Sequence, residues 1–353
     1  MRYTLFGRTG LRVSELCLGT MTFGDDWGWG AARDTSARIL ERYTEAGGNF
    51  IDTADNYTDG TSETILGELL EGRRDEYVLA TKYTSMTRAG DVNSAGNHRK
   101  NLVSSLEASL RRLRTDYVDV LWVHARDTFT PVHEVMRALD DQVRAGKVRY
   151  VGASDWFAWE IAQANTLAEL KDWTPFAGVQ LRYNLLGRTA ERELLPMSRA
   201  LDLAVLAWGP LAEGALTGKY LDNANEGRLS RVESWNPKGD NADDVVRQVV
   251  TVAKEGGWSP AQVALAWLRS RPGVVIPVLG ATKEAQLLDN LGSLDVELDG
   301  DQLARLDEVG APSLGFPHEF LRHPMITEVV YGDRWRDVED RRSTVRRTAN
   351  DAG

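Results

Sequence analysis

Along most of this chain, short apolar runs alternate with longer stretches whose apolar residues recur every three or four positions. The first pattern is that of a buried strand, the second that of a helix with one face against a core. Residues 2–14 predict two very short strands around Gly7–Gly10, a hairpin. The run Leu16–Met21 follows, and the loop FGDDWGWGAARD leads to a helix predicted over Thr35–Ala46, closed by Gly47-Gly48. Strand Asn49–Thr53 precedes a helix over Ser62–Glu71, and strand Tyr77–Lys82 precedes a helix carrying Leu102, Leu106, Leu110 and Leu113. Strand Val118–His124 is followed by Thr130-Pro131, read as an N-cap with proline at the first helical position. Val132, Val135, Met136, Leu139 and Val143 form the apolar face of that helix.

The plan then continues. Strand Lys147–Gly152 is paired with a helix over Trp156–Leu170, strand Gly178–Tyr183 with a helix over Glu191–Leu201, and strand Leu203–Trp208 with a long loop from Leu211 to about Asn241. Ser259-Pro260-Ala261-Gln262 has the form of a capping box. Strand Gly273–Leu279 and a helix after Thr282 complete the series, and Leu303 and Leu306 suggest one more helix. Strand–helix alternation implies parallel strands joined by crossovers. Eight such units close a (β/α)8 TIM barrel, with the opening hairpin as a plug at its bottom. A doubly wound sheet would need a phosphate fingerprint in its first strand–helix turn, and Gly7, Gly10, Gly19 and Gly24 do not supply one. The expectation is one barrel domain over residues 1–310 and a C-terminal extension over 311–353. Phe316, Phe320, Met325 and Val329 are the apolar anchors of that extension, and its end, DRRSTVRRTANDAG, reads as disordered.

Three successive strands end in polar residues. FIDTADNYTDG delivers Asp52 and Tyr57, YVLATK delivers Lys82, and YVDVLWVH delivers His124. Each has a bland reading alone, as a turn acid, a loop anchor, a surface lysine or a structural histidine. Together on one rim they form a chemical set. A cation near a phenol lowers its pKa from about 10, and Lys82 is the expected cation, with Asp52 as its partner. His124 would orient a substrate oxygen. The set suits protonation of an oxygen that is gaining charge, one half of a carbonyl reduction. The other half, hydride delivery, needs a nicotinamide, because no side chain can do it.

Composition removes alternatives. The 353 residues are 42% hydrophobic and 27% charged, enough for a large core and a soluble surface. A net charge of −10 argues against a polyanion binder. Cys17, the single cysteine, has no disulfide partner and lies in an apolar run, so a buried thiol is expected. No Cys/His cluster has metal-ligand spacing, so no metal is expected. With no apolar leader and no membrane-length window, the expected location is cytoplasmic.

FIDTADNY, ATKY, DVLWVH, AGKVRYVGASD and GVQLRYN resemble the aldo-keto reductases, barrel enzymes that use NADPH, and the resemblance runs from Tyr3 to Val309. It implies Tyr57 as proton donor, Lys82 and Asp52 as its tuning pair, and His124 as orienter. It also implies that Ser154, Asp155 and Gln180 hold the nicotinamide carboxamide and that Trp208 stacks on the ring. Gly209, Leu211, Gly214 and Lys219 would face the pyrophosphate. Gly280, Thr282 and Lys283 would lie on the 2′-phosphate side, and Gln286 and Asn290 at the adenine.

Three positions depart from the family pattern. Asp155 stands in place of a usual asparagine, Gly209 in place of a serine, and Thr282-Lys283 where an arginine or serine is common. Thr282 is read as a helix N-cap with Lys283 at the first helical position, giving preference for NADPH without strict exclusion of NADH. Trp27 and Trp29 are expected to wall the substrate pocket, and Arg126 either to meet a polar or anionic substrate or to be solvated or ion-paired. The segment Leu211–Asn241 is expected to fold over the pyrophosphate.

The function expected is reduction of an aldehyde or ketone, with sugar-like and aromatic carbonyls as candidate substrates. A non-catalytic nicotinamide-sensing module, resembling channel β subunits, is the competing class. The expected partner is a small-molecule carbonyl compound, with neither nucleic acid nor membrane, and a homo-oligomer is compatible with the sequence.

Overall fold

The computed structural model describes residues 1–221 and 241–339. Eight parallel strands close into a barrel: β3 (Cys17–Gly19), β4 (Phe50–Asp52), β5 (Val78–Tyr83), β6 (Val118–Val123), β7 (Val148–Ser154), β8 (Phe176–Arg182), β9 (Ala204–Trp208) and β10 (Val275–Leu279), with β10 pairing back onto β3. This is the (β/α)8 barrel expected from the strand count. Most strands begin or end within two residues of the apolar runs that predict them. The hairpin β1 (Tyr3–Leu5) and β2 (Arg12–Ser14) is antiparallel. Its Phe6 meets the rings of Phe50, Trp122 and Tyr150 edge-on, so the hairpin plugs the barrel interior.

Barrel interiors are filled by layers of inward side chains. Here Phe6, Val13, Cys17, Phe50, Ala80, Val120, Trp122, Leu206 and Ile276 make that filling. Trp122 is the largest of them and is fully buried. It fits because its neighbour in the β6–β7 register is Gly152, where an added Cβ would land on the indole ring. On the other side its register partner is Lys82. The indole is therefore the floor under the polar rim. Cys17 is buried and free, as expected, and burial holds its thiol protonated.

Helices cover the outside. Ser259 caps the helix Pro260–Arg269 in the capping box legible in the sequence. Two start signals differ by one residue: Pro131, not Thr130, is the N-cap of the helix Val132–Arg144, and Lys283, not Thr282, is the N-cap of Glu284–Leu291. Thr130 turns its hydroxyl to Asp127 Oδ2 instead, at 2.5 Å. At the second site the Thr282 and Lys283 N–H groups both donate to Gln286 Oε1, which caps the turn from inside the helix.

The extension also departs from expectation. It forms helices over His318–Arg322 and Pro324–Tyr331, but Phe316, Phe320, Met325 and Val329 are exposed rather than anchored. The contacts that hold it are polar, such as His318 Nε2 with Glu193 Oε1 at 2.8 Å. The central part of the expected Leu211–Asn241 cover, 222–240, and the tail 340–353 lie outside the described residues.

Gly152→Ala is expected to destabilise the barrel by roughly 1–3 kcal/mol, the scale of core overpacking. Denaturant midpoints would show it, and Trp122→Phe in the same chain should recover part of the loss. Equal stability of Gly152→Ala and wild type would mean that Trp122 is not confined as described.

Candidate active site

The strand order puts β4, β5 and β6 side by side, so Asp52, Lys82 and His124 reach one rim. The Lys82 ammonium is fully buried, and its three protons have three acceptors: Asp52 Oδ2 at 2.5 Å, the Thr53 carbonyl at 2.8 Å and Tyr57 Oη at 3.0 Å. Burial alone would push the ammonium pKa down, but the attraction of Asp52 and Tyr57 outweighs it and the shift is upward. Lys82 therefore stays charged, as a buried ammonium does only when paired. The other carboxylate oxygen, Asp52 Oδ1, accepts from Gln180 Nε2 at 3.0 Å.

Tyr57 does not follow the simple expectation that a nearby cation lowers its pKa. Burial pushes the phenol up, Lys82 pulls it down, Asp52 pushes it up again, and the net direction is upward. At neutral pH the group is thus a phenol, with a proton to give. The imidazole of His124 stands edge-on to the Tyr57 ring, 5.8 Å between centroids. Burial, then the Lys82 charge, lowers its pKa to about 3, so it is a neutral hydrogen-bonding group.

The turn behind Tyr57 is unusual. Thr58 and Asp59 both have positive φ, at 46° and 55°, a region that a β-branched residue rarely enters. Thr58 is held there because its hydroxyl donates to the Phe23 carbonyl at 2.7 Å and accepts from the Ser62 N–H at 3.0 Å. The bond to Phe23 ties the Tyr57 turn to the loop bearing Trp27 and Trp29, whose rings lie 5.8 Å apart. Thr58 was missed from sequence because nothing in its spacing announces a strained conformation.

The remaining candidates fall into three groups. Ser154, Asp155, Gln180 and Trp208 close the neighbouring strands β7, β8 and β9, and Trp208 Nε1 donates to Asp155 Oδ1 at 3.0 Å. Gly209, Leu211, Gly214 and Lys219 lie in and around the short helical segment Ala212–Thr217 after β9, with Gly209 and Gly214 in the positive-φ region. Gly280, Thr282, Lys283, Gln286 and Asn290 follow β10, which pairs with β9. A Cβ added at Gly280 would meet nothing, so the chain leaves space there. This row of hydroxyl, amide, carboxylate, indole and glycine-rich segments along adjacent strand ends is chemically suited to a nicotinamide dinucleotide.

Arg126 takes the ion-paired of its expected readings. Its guanidinium is held by Glu160 at 2.8 Å, donates to the Thr130 carbonyl and covers the Trp156 ring, so it braces a loop and does not reach for a ligand. Two supporting residues were not anticipated. Asn184 donates from Nδ2 to the Gly209 carbonyl at 2.8 Å, fixing the chain just past Trp208. Glu213, nearly buried, accepts from Arg182 at 3.5 Å. Asn184 did carry a signal, as a polar residue directly after the run GVQLRY.

Asp55, two residues before Tyr57, is buried, and neither carboxyl oxygen finds a hydrogen-bond partner among the described residues. Burial and then the charge of Glu63 raise its pKa from 3.8 to about 7. Between those values the folded chain keeps a proton that the unfolded chain has lost, so stability falls as pH rises through that window. Asp55→Asn should flatten this fall and be more stable than wild type at about pH 8, by roughly 2–4 kcal/mol, with little difference at about pH 4. Parallel pH profiles for the two proteins in denaturant unfolding would refute the assignment.

The chain matches the sequence model of the Aldo/keto reductase family over residues 15–311. It is 39% identical over 322 residues to a norsolorinic acid reductase of Emericella nidulans, covering 88% of this chain and 82% of that one. It is 37% identical over 327 residues to the uncharacterized oxidoreductase YrpG of Bacillus subtilis, covering 88% and 96% of the two chains. An aryl-alcohol dehydrogenase [NADP(+)] of Phanerodontia chrysosporium is 35% identical over 330 residues, with 88% and 86% covered. These relatives and the barrel make it an NAD(P)H-dependent oxidoreductase. By sequence, fold and relatives, this chain belongs to the aldo/keto reductase family.

Proposed function

We propose that the protein reduces an aromatic aldehyde or ketone with NADPH, in the cytoplasm, taking the proton from Tyr57. The observation that carries the reading is the Lys82 ammonium shared between Asp52, Thr53 and Tyr57 at the barrel rim. A bound nicotinamide supplies the hydride. The carbonyl oxygen is held between Tyr57 Oη and the neutral ring of His124, which are adjacent at the rim. As charge develops on that oxygen, Tyr57 donates its proton and becomes a phenolate. Lys82, already hydrogen-bonded to Tyr57 Oη, stabilises the phenolate without reorganising. Asp52 keeps Lys82 aimed, and Gln180 keeps Asp52 in place. The phenolate regains a proton from solvent at the mouth.

Two features favour an aromatic substrate over a sugar. Trp27 and Trp29 form a partly exposed aromatic pair on the loop that Thr58 ties to the Tyr57 turn. Relatives of similar length are named for norsolorinic acid and for aryl alcohols. NADPH is favoured by Lys283, an exposed ammonium with no ion pair among the described residues, next to the open space at Gly280. As a point charge rather than a fork, it is expected to bias against NADH without excluding it.

A panel of aromatic and sugar-like carbonyls, followed by NADPH absorbance, tests the reading. Binding of NADPH with no turnover of any of them would leave the nicotinamide-sensing module instead. Tyr57→Phe should retain the fold and NADPH binding while turnover falls by ~10² to 10⁴, the usual worth of a general acid. Near-normal rates in that variant would remove Tyr57 from the mechanism. Lys283→Ala should raise the KM for NADPH about tenfold, the scale of one charge-assisted contact, and leave that for NADH unchanged. Equal change for both cofactors would put the 2′-phosphate elsewhere.

A further inference from the structure

Five Asp, Lys, His and Arg side chains stand within one residue of the C-terminal ends of the barrel strands: Asp52, Lys82, His124, Asp155 and Arg182. Asp52 and Lys82 neutralise each other. His124 is neutral at working pH. The guanidinium of Arg182 is balanced by Glu213 at 3.5 Å. Apart from His124, Asp155 alone among the five has no ion pair among the described residues, and burial raises its pKa above the ordinary carboxylate value.

The position of Asp155 is fixed. Its backbone sits at φ 52°, its N–H donates to the Gln180 carbonyl at 3.1 Å, and Oδ1 accepts from the Trp208 indole at 3.0 Å. The residue is exposed, yet enough protein surrounds its carboxyl for burial to raise its pKa. It is also near enough to act on the chemistry: its charge helps hold the Tyr57 phenol up, and Lys82 pulls on it in return. The carboxyl is therefore bonded to the indole on which the ring is read to stack, within electrostatic reach of the proton donor.

A reduced nicotinamide ring is neutral and the oxidised ring is cationic. A fixed carboxylate without a counter-ion treats the two differently. We infer that Asp155 is a specificity-determining residue that makes this site hold the oxidised nicotinamide more tightly than the reduced one. The inference rests on the nicotinamide reading above and adds to it a preference between redox states. The electrons balance as in any hydride transfer: the ring loses a hydride to the carbonyl carbon and gains a positive charge, and that charge is what Asp155 attracts. It thereby favours departure of the hydride and slows release of the oxidised cofactor.

Quenching of tryptophan fluorescence gives dissociation constants for NADP+ and NADPH without turnover. Wild type, Asp155→Asn and Asp155→Glu are compared, with circular dichroism to verify the fold. Asparagine keeps the shape and tolerates positive φ. In Asp155→Asn, NADP+ should bind about tenfold more weakly while NADPH is unchanged or tighter. Asp155→Glu, which keeps the charge, should keep a ratio near that of wild type. An equal change for both cofactors in Asp155→Asn would mean that the residue only positions the carboxamide, and no change would mean that it does not face the ring. Either result overturns the inference while leaving the nicotinamide reading intact. Failure of the wild-type protein to bind either cofactor would overturn both.

Discussion

The site depends on the three hydrogen bonds of one buried ammonium. Lys82 is fully enclosed, and a charge so placed persists only if every proton has an acceptor and an opposite charge is in contact. Asp52, the Thr53 carbonyl and Tyr57 Oη meet that demand. Much of the surrounding structure serves to hold those acceptors. Trp122 and Gly152 set the floor beneath Lys82, Gln180 reaches across from β8 to the second oxygen of Asp52, and Thr58 accepts a strained backbone to aim Tyr57.

The barrel was legible because its signal is repeated. Each strand is a short apolar run and each helix a 3.6-residue stripe, so an error in one unit leaves the count intact. The strand ends were legible for a related reason. A lysine at the end of YVLATK is anomalous in a buried run, and anomalies at three adjacent strands point at one rim. What the pattern could not carry was the direction of single side chains. Arg126 stands two residues past His124 and reads equally as a ligand-facing or an ion-paired cation, and it is Glu160, 34 residues later, that claims it. Nothing local foretells such a pair.

Other departures have equally specific causes. The expectation that Lys82 lowers the Tyr57 pKa considered one charge and omitted burial, which is the largest influence and acts the other way. Lys283 rather than Thr282 caps its helix because Gln286 folds back onto both preceding N–H groups. The apolar residues of the extension read as anchors because sequence reports hydrophobicity, not what covers it. Asp55 looked like one more turn acid in DTADNY, although it is buried beside Glu63 without a hydrogen-bond partner among the described residues.

These features divide the labour at the mouth between neutral and charged groups. A proton donor works best when it still holds its proton at the operating pH, and burial secures that for Tyr57 against the pull of Lys82. An orienting group works best uncharged, because an imidazolium would compete as an acid, and the same burial together with the Lys82 charge keeps His124 neutral. One ammonium therefore does two jobs. In the proposed mechanism it stabilises the phenolate that forms, and it suppresses a second cation beside it. With Asp52 matched to Lys82 and Glu213 to Arg182, the field at the rim is left to Asp155, on the side where Trp208 ends its strand. Positive charge is thus held against the phenol and the Asp155 carboxyl stands beside the indole, the polarity that the proposed movement of a hydride toward an oxygen held by Tyr57 would use.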